Sequence, residues 1–292
     1  MPDLWGDLLE CLDLRQRPTT PPGDRGRRRE TLTVYEGPSL PLDHGWLYGG
    51  QVLAQIVRAA QLACPAKAVK SLHTLFAHEG KGDAPVYYIV QRQQEGRSFA
   101  ALTVTARQKR DVVATAMVSL HLPEDGPAHQ TAPELPALPG PGHAVTVPLL
   151  PWETRATADL DDPGAEPPDF DLWMRTPEAP PELHAALAAY ATDLFPIGTA
   201  LRPLGGVSQA GNGTDFTSAP ITHSLWFHRA LRADDWLLLL HHSPLVAHGR
   251  CYGRGDVFTG DGALVASFAQ EGLLRFRPDC CPVAGWASRA AR

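Results

Sequence analysis

The sequence predicts an α+β fold built from two tandem copies of one unit, an antiparallel sheet wrapped around a long helix. Three observations predict it. The order strand, helix, four strands occurs twice along the 292 residues. Two short strips match between the copies at nearly one offset: Arg97-Ser98-Phe99 lines up with Arg250-Cys251-Tyr252, and Val112-Val113-Ala114-Thr115 with Leu264-Val265-Ala266-Ser267. Residues 123–151, dense in Pro and Gly, separate the copies as a linker would. One strip could be chance; two strips in matching predicted hairpins argue for duplication. A sheet buries one face on its helix, and two such units can close against each other through their edges. The expected division is residues 1–125, a linker over 126–151, and residues 152–292.

The elements follow in order. Residues 5–14 read as a short leading helix. Arg15 to Glu30 is rich in Pro, Gly and Arg, with Arg25, Arg27, Arg28 and Arg29 close together. A solvated loop is the plain reading of such a run, and a grip on the phosphates of a nucleotide handle is the functional one. Thr31-Leu32-Thr33-Val34-Tyr35 alternates and is β-branched, as a strand does. Leu47-Tyr48-Gly49-Gly50-Gln51 opens an amphipathic helix, Val52 to Ala63, with Val52, Ile56, Ala59 and Ala60 on one face and Pro65 ending it. Strands are expected at 69–78, 85–94, 98–108 and 112–122, with turns at Gly96 and Lys109-Arg110-Asp111. In the second copy Phe170 to Arg175 is a strand and Glu182 to Leu194 an Ala-rich helix. Strands at 218–228, 235–247, 250–258 and 263–275 follow, the last two joined by the hairpin signal Gly260-Asp261-Gly262.

Composition narrows the class. Hydrophobic residues are 43% and charged residues 20% of the chain, which excludes disorder throughout. A net charge of −6 leaves no general footprint for nucleic acid. Five scattered cysteines without a Cys-x-x-Cys pair suit a reducing compartment and carry no ribbon-type zinc signature. The start, Met1-Pro2-Asp3-Leu4-Trp5, does not read as a signal peptide. No stretch reaches the roughly 20 apolar residues needed to span a bilayer. The cytoplasm is the expected address, with neither membrane nor nucleic acid as partner.

Six segments, in order, resemble the type II acyl-CoA thioesterase family, whose fold is a double hotdog. They are Tyr48-Gly-Gly-Gln-Val-Leu-Ala-Gln55, Ser71-Leu-His-Thr-Leu-Phe76, Glu95-Gly-Arg-Ser-Phe99, Ala189-Tyr-Ala-Thr-Asp-Leu194, His223-Ser-Leu-Trp-Phe-His-Arg229 and Ala266-Ser-Phe-Ala-Gln-Glu-Gly272. The resemblance covers about residues 31–276. The resemblance implies hydrolysis of an acyl-CoA, or of an acyl-carrier thioester, without metal or redox cofactor. It also allows a homo-oligomer. Carried over by position, it implies a catalytic Asp193 and Gln270. The family's hydroxyl residue would fall on Pro220, which has none. Thr222 and Ser218 share Pro220's strand face by alternation and are the candidates to replace it, Thr222 first.

Each implied role has a plain structural alternative. Asp193 ends an apolar helix, where a carboxylate can accept a proton from water or merely satisfy backbone donors. Gln270 interrupts the apolar strip Leu264 to Ala269, while its counterpart in the first copy is Val118. An amide both donates and accepts, which suits holding a water. Gly49, Gly50 and Gln51 open a helix whose amides suit polarising a thioester carbonyl; the plain alternative is a tight turn that needs small residues. Three further features carry less. Gly206-Val207-Ser208-Gln209-Ala210 resembles a nucleophile elbow but sits among glycines and Pro203. His223, His228, His241 and His242 lack metal-site spacing and read as satisfied or exposed. Asp43-His44 borders the Gly-Gly turn and is the one pair a dehydratase would need. An acyl-thioester binding protein without catalysis is the other alternative, and Pro220 supports it.

Overall fold

The computed structural model describes residues 3–18, 32–277 and 280. Its elements in chain order are α1 (Leu4–Leu12), β1 (Arg15–Arg17), β2 (Leu32–Gly37), α2 (Gly49–Ala63), β3 (Ala68–Phe76), β4 (Val86–Glu95), β5 (Phe99–Gln108) and β6 (Asp111–His121). There follow β7 (Glu153–Arg155), β8 (Asp169–Arg175), α3 (His184–Thr192), α4 (Pro196–Leu201), β9 (Phe216–Phe227), β10 (Leu237–Ala247), β11 (Arg250–Thr259) and β12 (Leu264–Phe276). Antiparallel sheet dominates and helices are few. From residue 68 on, every strand expected from the sequence is present within two residues at each end.

Packing divides the chain into two units. One takes the chain through Thr131 together with Glu178–Ala191 and Ser224–Ala233. The other takes Ala132–Pro177, Thr192–His223 and the chain from Asp234 on.

In the first unit the strand order is β1-β2-β4-β5-β6-β3, with antiparallel ladders. Helix α2 lies against β2 to β6. Its apolar side chains Val52, Leu53, Ile56, Val57, Ala59 and Ala60 are all buried. Such a helix must also satisfy any polar group it carries inward. Gln51 and Gln55 do so as a pair: Gln51 Nε2 donates to Gln55 Oε1 at 3.1 Å, Leu40 N–H donates to Gln51 Oε1 at 3.0 Å, and Tyr88 Oη donates to Gln55 Oε1 at 2.6 Å. Gln55 Nε2 donates to the Cys11 and Pro38 carbonyls at 2.7 and 2.9 Å, tying α1 to α2. The loop expected from residue 15 begins instead as β1, because Arg15–Arg17 finds β2 as a partner and Arg17 forks onto Glu36. Arg25, Arg27, Arg28 and Arg29 lie outside the described residues.

In the second unit the order is β9-β12-β11-β10-β8-β7. The long helix expected over 182–194 is shorter. A 3-10 turn at Pro181–Leu183 leads into the nine residues of α3. Pro180 and Pro181 bound it upstream. Pro196 sits at the first position of α4, where its missing N–H costs nothing, and forces a new helix to begin there. Through Ala191, α3 packs with the first unit, whereas α4 lies against β10, β11 and β12. Glycines permit that approach. A Cβ on Gly253 would overlap Ser243 Oγ and lie 3.0 Å from Pro196 Cβ, and one on Gly272 would lie 2.8 Å from Ile197.

The 152-residue offset survives as a pattern of burial. Ala114, Ala116, Val118 and Leu120 are buried on β6, and Ala266, Phe268, Gln270 and Gly272 on β12. Pairing differs by two residues, since Val118 faces Leu102 while Gln270 faces Gly253 rather than Gly255. A two-residue difference keeps each side chain on its own face of the sheet.

Candidate functional site

Three buried side chains of the second unit meet around the imidazole of a fourth. Asp193 occupies the turn between α3 and α4, directly after Thr192, the last residue of α3. His223 projects inward from β9, and Gln270 from β12, the next strand. The His223 Nδ1 lies 2.9 Å from Gln270 Oε1 and 4.0 Å from Asp193 Oδ1. Its Nε2 lies 3.1 Å from the Thr192 hydroxyl. The Gln270 Nε2 is buried and has no acceptor among the described residues.

Aromatic rings wall this cluster. Phe268, two residues before Gln270 on the same strand face, stacks nearly parallel to His223, with centroids 6.0 Å apart. It meets His241 edge-on at 5.4 Å, and His241 also packs on Phe170 and Phe195. The ring of Phe268 fits because Gly255 faces it across the ladder: a Cβ there would overlap the ring. In so apolar a setting the charged form of an imidazole is disfavoured. Burial pulls His223 down to about 4 against the opposing bond to Gln270, and His241 down to about 4 against its bonds to the Phe170 and Leu239 backbone. Both are neutral at pH 7. A neutral polar cluster with one buried carboxylate can accept a proton at Asp193 and donate hydrogen bonds from the Gln270 amide.

The other expected residues fall elsewhere. Thr222, Pro220 and Ser218 are on β9 with His223, and each is half-buried where His223 is fully buried. The Ser218 N–H donates to Asn212 Oδ1 at 3.1 Å. The Gln51 side chain is consumed by the network inside the first unit. Gly49 and Gly50 begin α2, which has no side-chain cap. Gly50 also answers a packing need, because a Cβ there would overlap the Tyr190 carbonyl oxygen and the Tyr48 ring. That Tyr48 hydroxyl donates to the same carbonyl at 3.0 Å. Ser208 precedes a 3-10 turn, with no strand leading into it and no α-helix leading out. His44 is exposed, and its Nδ1 accepts the Trp46 N–H at 3.1 Å. Among the described residues no group of three His, Cys, Asp or Glu side chains could hold a metal ion.

Sequence reasoning missed His223 and Thr192. His223 was read as a satisfied or exposed histidine, and it is satisfied, but by the candidate site itself. The available signal was alternation: His223 and Leu225 share a face, and an apolar neighbour at that spacing points the histidine inward. Thr192 carried no signal beyond its adjacency to Asp193.

Known proteins share this arrangement of chain. Residues 39–121 match the family model described as the acyl-CoA thioesterase N-terminal domain, and residues 123–274 match the C-terminal domain. Acyl-CoA thioesterase 2 of Haemophilus influenzae is 33% identical over 269 residues, covering 83% of this chain and 92% of its own. The crystal structure of an acyl-CoA thioesterase II, TesB2, from Mycobacterium marinum is 30% identical, with a TM-score of 0.71 over 92% of this chain and 98% of that one. A hot dog fold protein of unknown function from Alicyclobacillus acidocaldarius, 18% identical, aligns with a TM-score of 0.67 over 92% of this chain and 98% of its own, which speaks to fold alone. On these matches, the chain belongs to the type II acyl-CoA thioesterase family and has a hotdog-type fold.

Proposed function

We propose that this protein hydrolyses acyl-CoA to a free acid and CoA by direct attack of water, with no covalent intermediate on the enzyme. One observation carries the reading: a buried carboxylate and a buried, underused amide donor meet at the edge of one neutral imidazole. Asp193 accepts a proton from the water. Gln270 Nε2 donates to the water oxygen and fixes its direction. The oxygen attacks the thioester carbonyl carbon, and the C–S bond breaks as the thiolate leaves. The proton held by Asp193 neutralises the departing sulfur. The hydroxyl partner that Thr222 or Ser218 would supply is assigned to Thr192, since its hydroxyl bonds to the same imidazole.

The finer architecture belongs to the same proposal. It is a double hotdog with a sheet and a helix in each half, divided as residues 1–125, a linker over 126–151, and residues 152–292. The two family matches, which meet between residues 121 and 123, support a boundary between the halves near that point.

Turnover of an acyl-CoA panel graded by chain length tests the activity. Asp193→Ala and Gln270→Ala should each lower kcat by about 100-fold or more with KM little changed. Full activity in either variant overturns the role of that residue. Pro220 supports a second reading, an acyl-thioester binding protein without catalysis. It predicts tight binding of acyl-CoA and no hydrolysis of any panel member.

A further inference from the structure

The contacts around His223 restrict where its proton sits. Two oxygens face Nδ1, Gln270 Oε1 at 2.9 Å and Asp193 Oδ1 at 4.0 Å. An amide carbonyl and a carboxylate only accept hydrogen bonds, so with Gln270 placed this way Nδ1 carries the hydrogen. A neutral imidazole has one N–H, which leaves Nε2 bare to accept from the Thr192 hydroxyl at 3.1 Å.

The opposite arrangement is chemically complete as well. The Gln270 amide turns over, its NH2 donates to a bare Nδ1, and Nε2–H donates to Thr192. Hydrogen bonds alone do not separate the two arrangements. The Asp193 carboxylate does. It lies 4.0 Å from Nδ1 in a buried, weakly screened site, where the negative charge favours an N–H on the nearer ring nitrogen over a lone pair there. The choice has a consequence for Gln270. With Oε1 committed to His223, its NH2 is left as the buried donor without an acceptor among the described residues. In the opposite arrangement the buried group left over is a carbonyl oxygen, which cannot donate to a water.

We propose that His223 is a positioning residue: its Nδ1–H locks the Gln270 side chain with the NH2 presented to the attacking water, and Thr192 holds the tautomer from the other side. This rests on the hydrolytic reading above, in which Gln270 directs that water. His223 touches neither water nor substrate and acts through Gln270.

Ring-15N labelling of histidine in the full-length protein reads the tautomer directly by long-range proton–nitrogen correlation. His223 is assigned by the signal lost in His223→Asn. The expected result is a protonated Nδ1 and a bare Nε2 at pH 7; the reverse overturns the inference, whatever the activity. Kinetics supply a second test. An Asn amide reaches about where Nδ1 sits, whereas a Gln amide reaches toward Nε2. His223→Gln should lower kcat about 100-fold with KM within about threefold, and His223→Asn should recover at least about tenfold of that loss. Equal losses in the two variants, or a loss confined to KM, overturn it. In a Gln270→Ala background, His223→Gln should cost less than about threefold further, because the residue it positions is gone. Full multiplication of the two losses overturns the proposal. If Gln270→Ala alone keeps full activity, the role of Gln270 fails separately, and the tautomer still decides whether His223 orients that side chain.

Discussion

His223 and His241 are two imidazoles removed from water within one aromatic cluster, each held down to about 4 by burial. Their unfolded values lie near 6.5. Between roughly pH 6.5 and 4 the unfolded chain therefore binds protons that the folded chain refuses, so stability falls as pH falls through that window. Above it the contribution is fully present, and below it no further loss comes from these groups. A shift of about two and a half units corresponds to roughly 3 kcal/mol for each histidine. Denaturant midpoints at pH 7.5 and 4.5 should therefore differ strongly. His241→Leu should remove about half of that difference, and a flat profile in the wild type would refute the account. The same burial that makes acid destabilising keeps His223 neutral at pH 7, where its single N–H can orient Gln270.

Elements set the spacing that this residue chemistry needs. Gly50 lets the start of α2 approach the Tyr190 carbonyl, and the Tyr48 ring closes over the contact edge-on to Tyr190 at 4.9 Å. Neither a backbone oxygen nor a trapped ring can move cheaply. Gly50→Ala should destabilise the protein by about 1–3 kcal/mol, read as a shift in the urea midpoint at unchanged slope. Gly255 does the same for the ring that lies on His223. In Gly255→Ala the new methyl would displace Phe268, and we expect lower kcat along with a lower melting temperature. A variant with unchanged kcat would show that the stacking of Phe268 on His223 has no part in catalysis. Strand and hairpin positions were legible in the sequence because β-branched alternation and turn residues are local signals. The helix expected over 182–194 is realised as α3 alone, and α4, which Pro196 opens beyond it, has no counterpart among the expected elements. Six residues are too few to show a helical period.

At the scale of the whole molecule, the repeat in sequence and the division by packing are different partitions. The first unit is assembled from three stretches of chain, and those beyond residue 131 include α3 and the end of β9. Leu187, Ala188 and Tyr190 of α3 are fully or almost fully buried in the chain, and the Tyr190 carbonyl accepts the Tyr48 hydroxyl. A fragment ending at residue 125 lacks them and would expose the surface they cover. It should fail to unfold cooperatively, as followed by circular dichroism across a thermal ramp. A sharp two-state transition in that fragment would refute the point.

The sequence by itself determined where the strands lie along the chain, the family, and Asp193 and Gln270 as candidates, because periodicity and short motifs are properties of neighbouring residues. It also exposed Pro220 as a position without a hydroxyl. Only the tertiary structure decided that Gln51 is spent on the inside of the first unit, and that His223 and Thr192 join Asp193 and Gln270. Those four lie on α3, the turn after it, β9 and β12, separated by up to 78 residues (192 to 270). Their meeting depends on strand pairing and burial rather than on any local pattern. Burial also leaves the histidine neutral, so that it has a single proton to place.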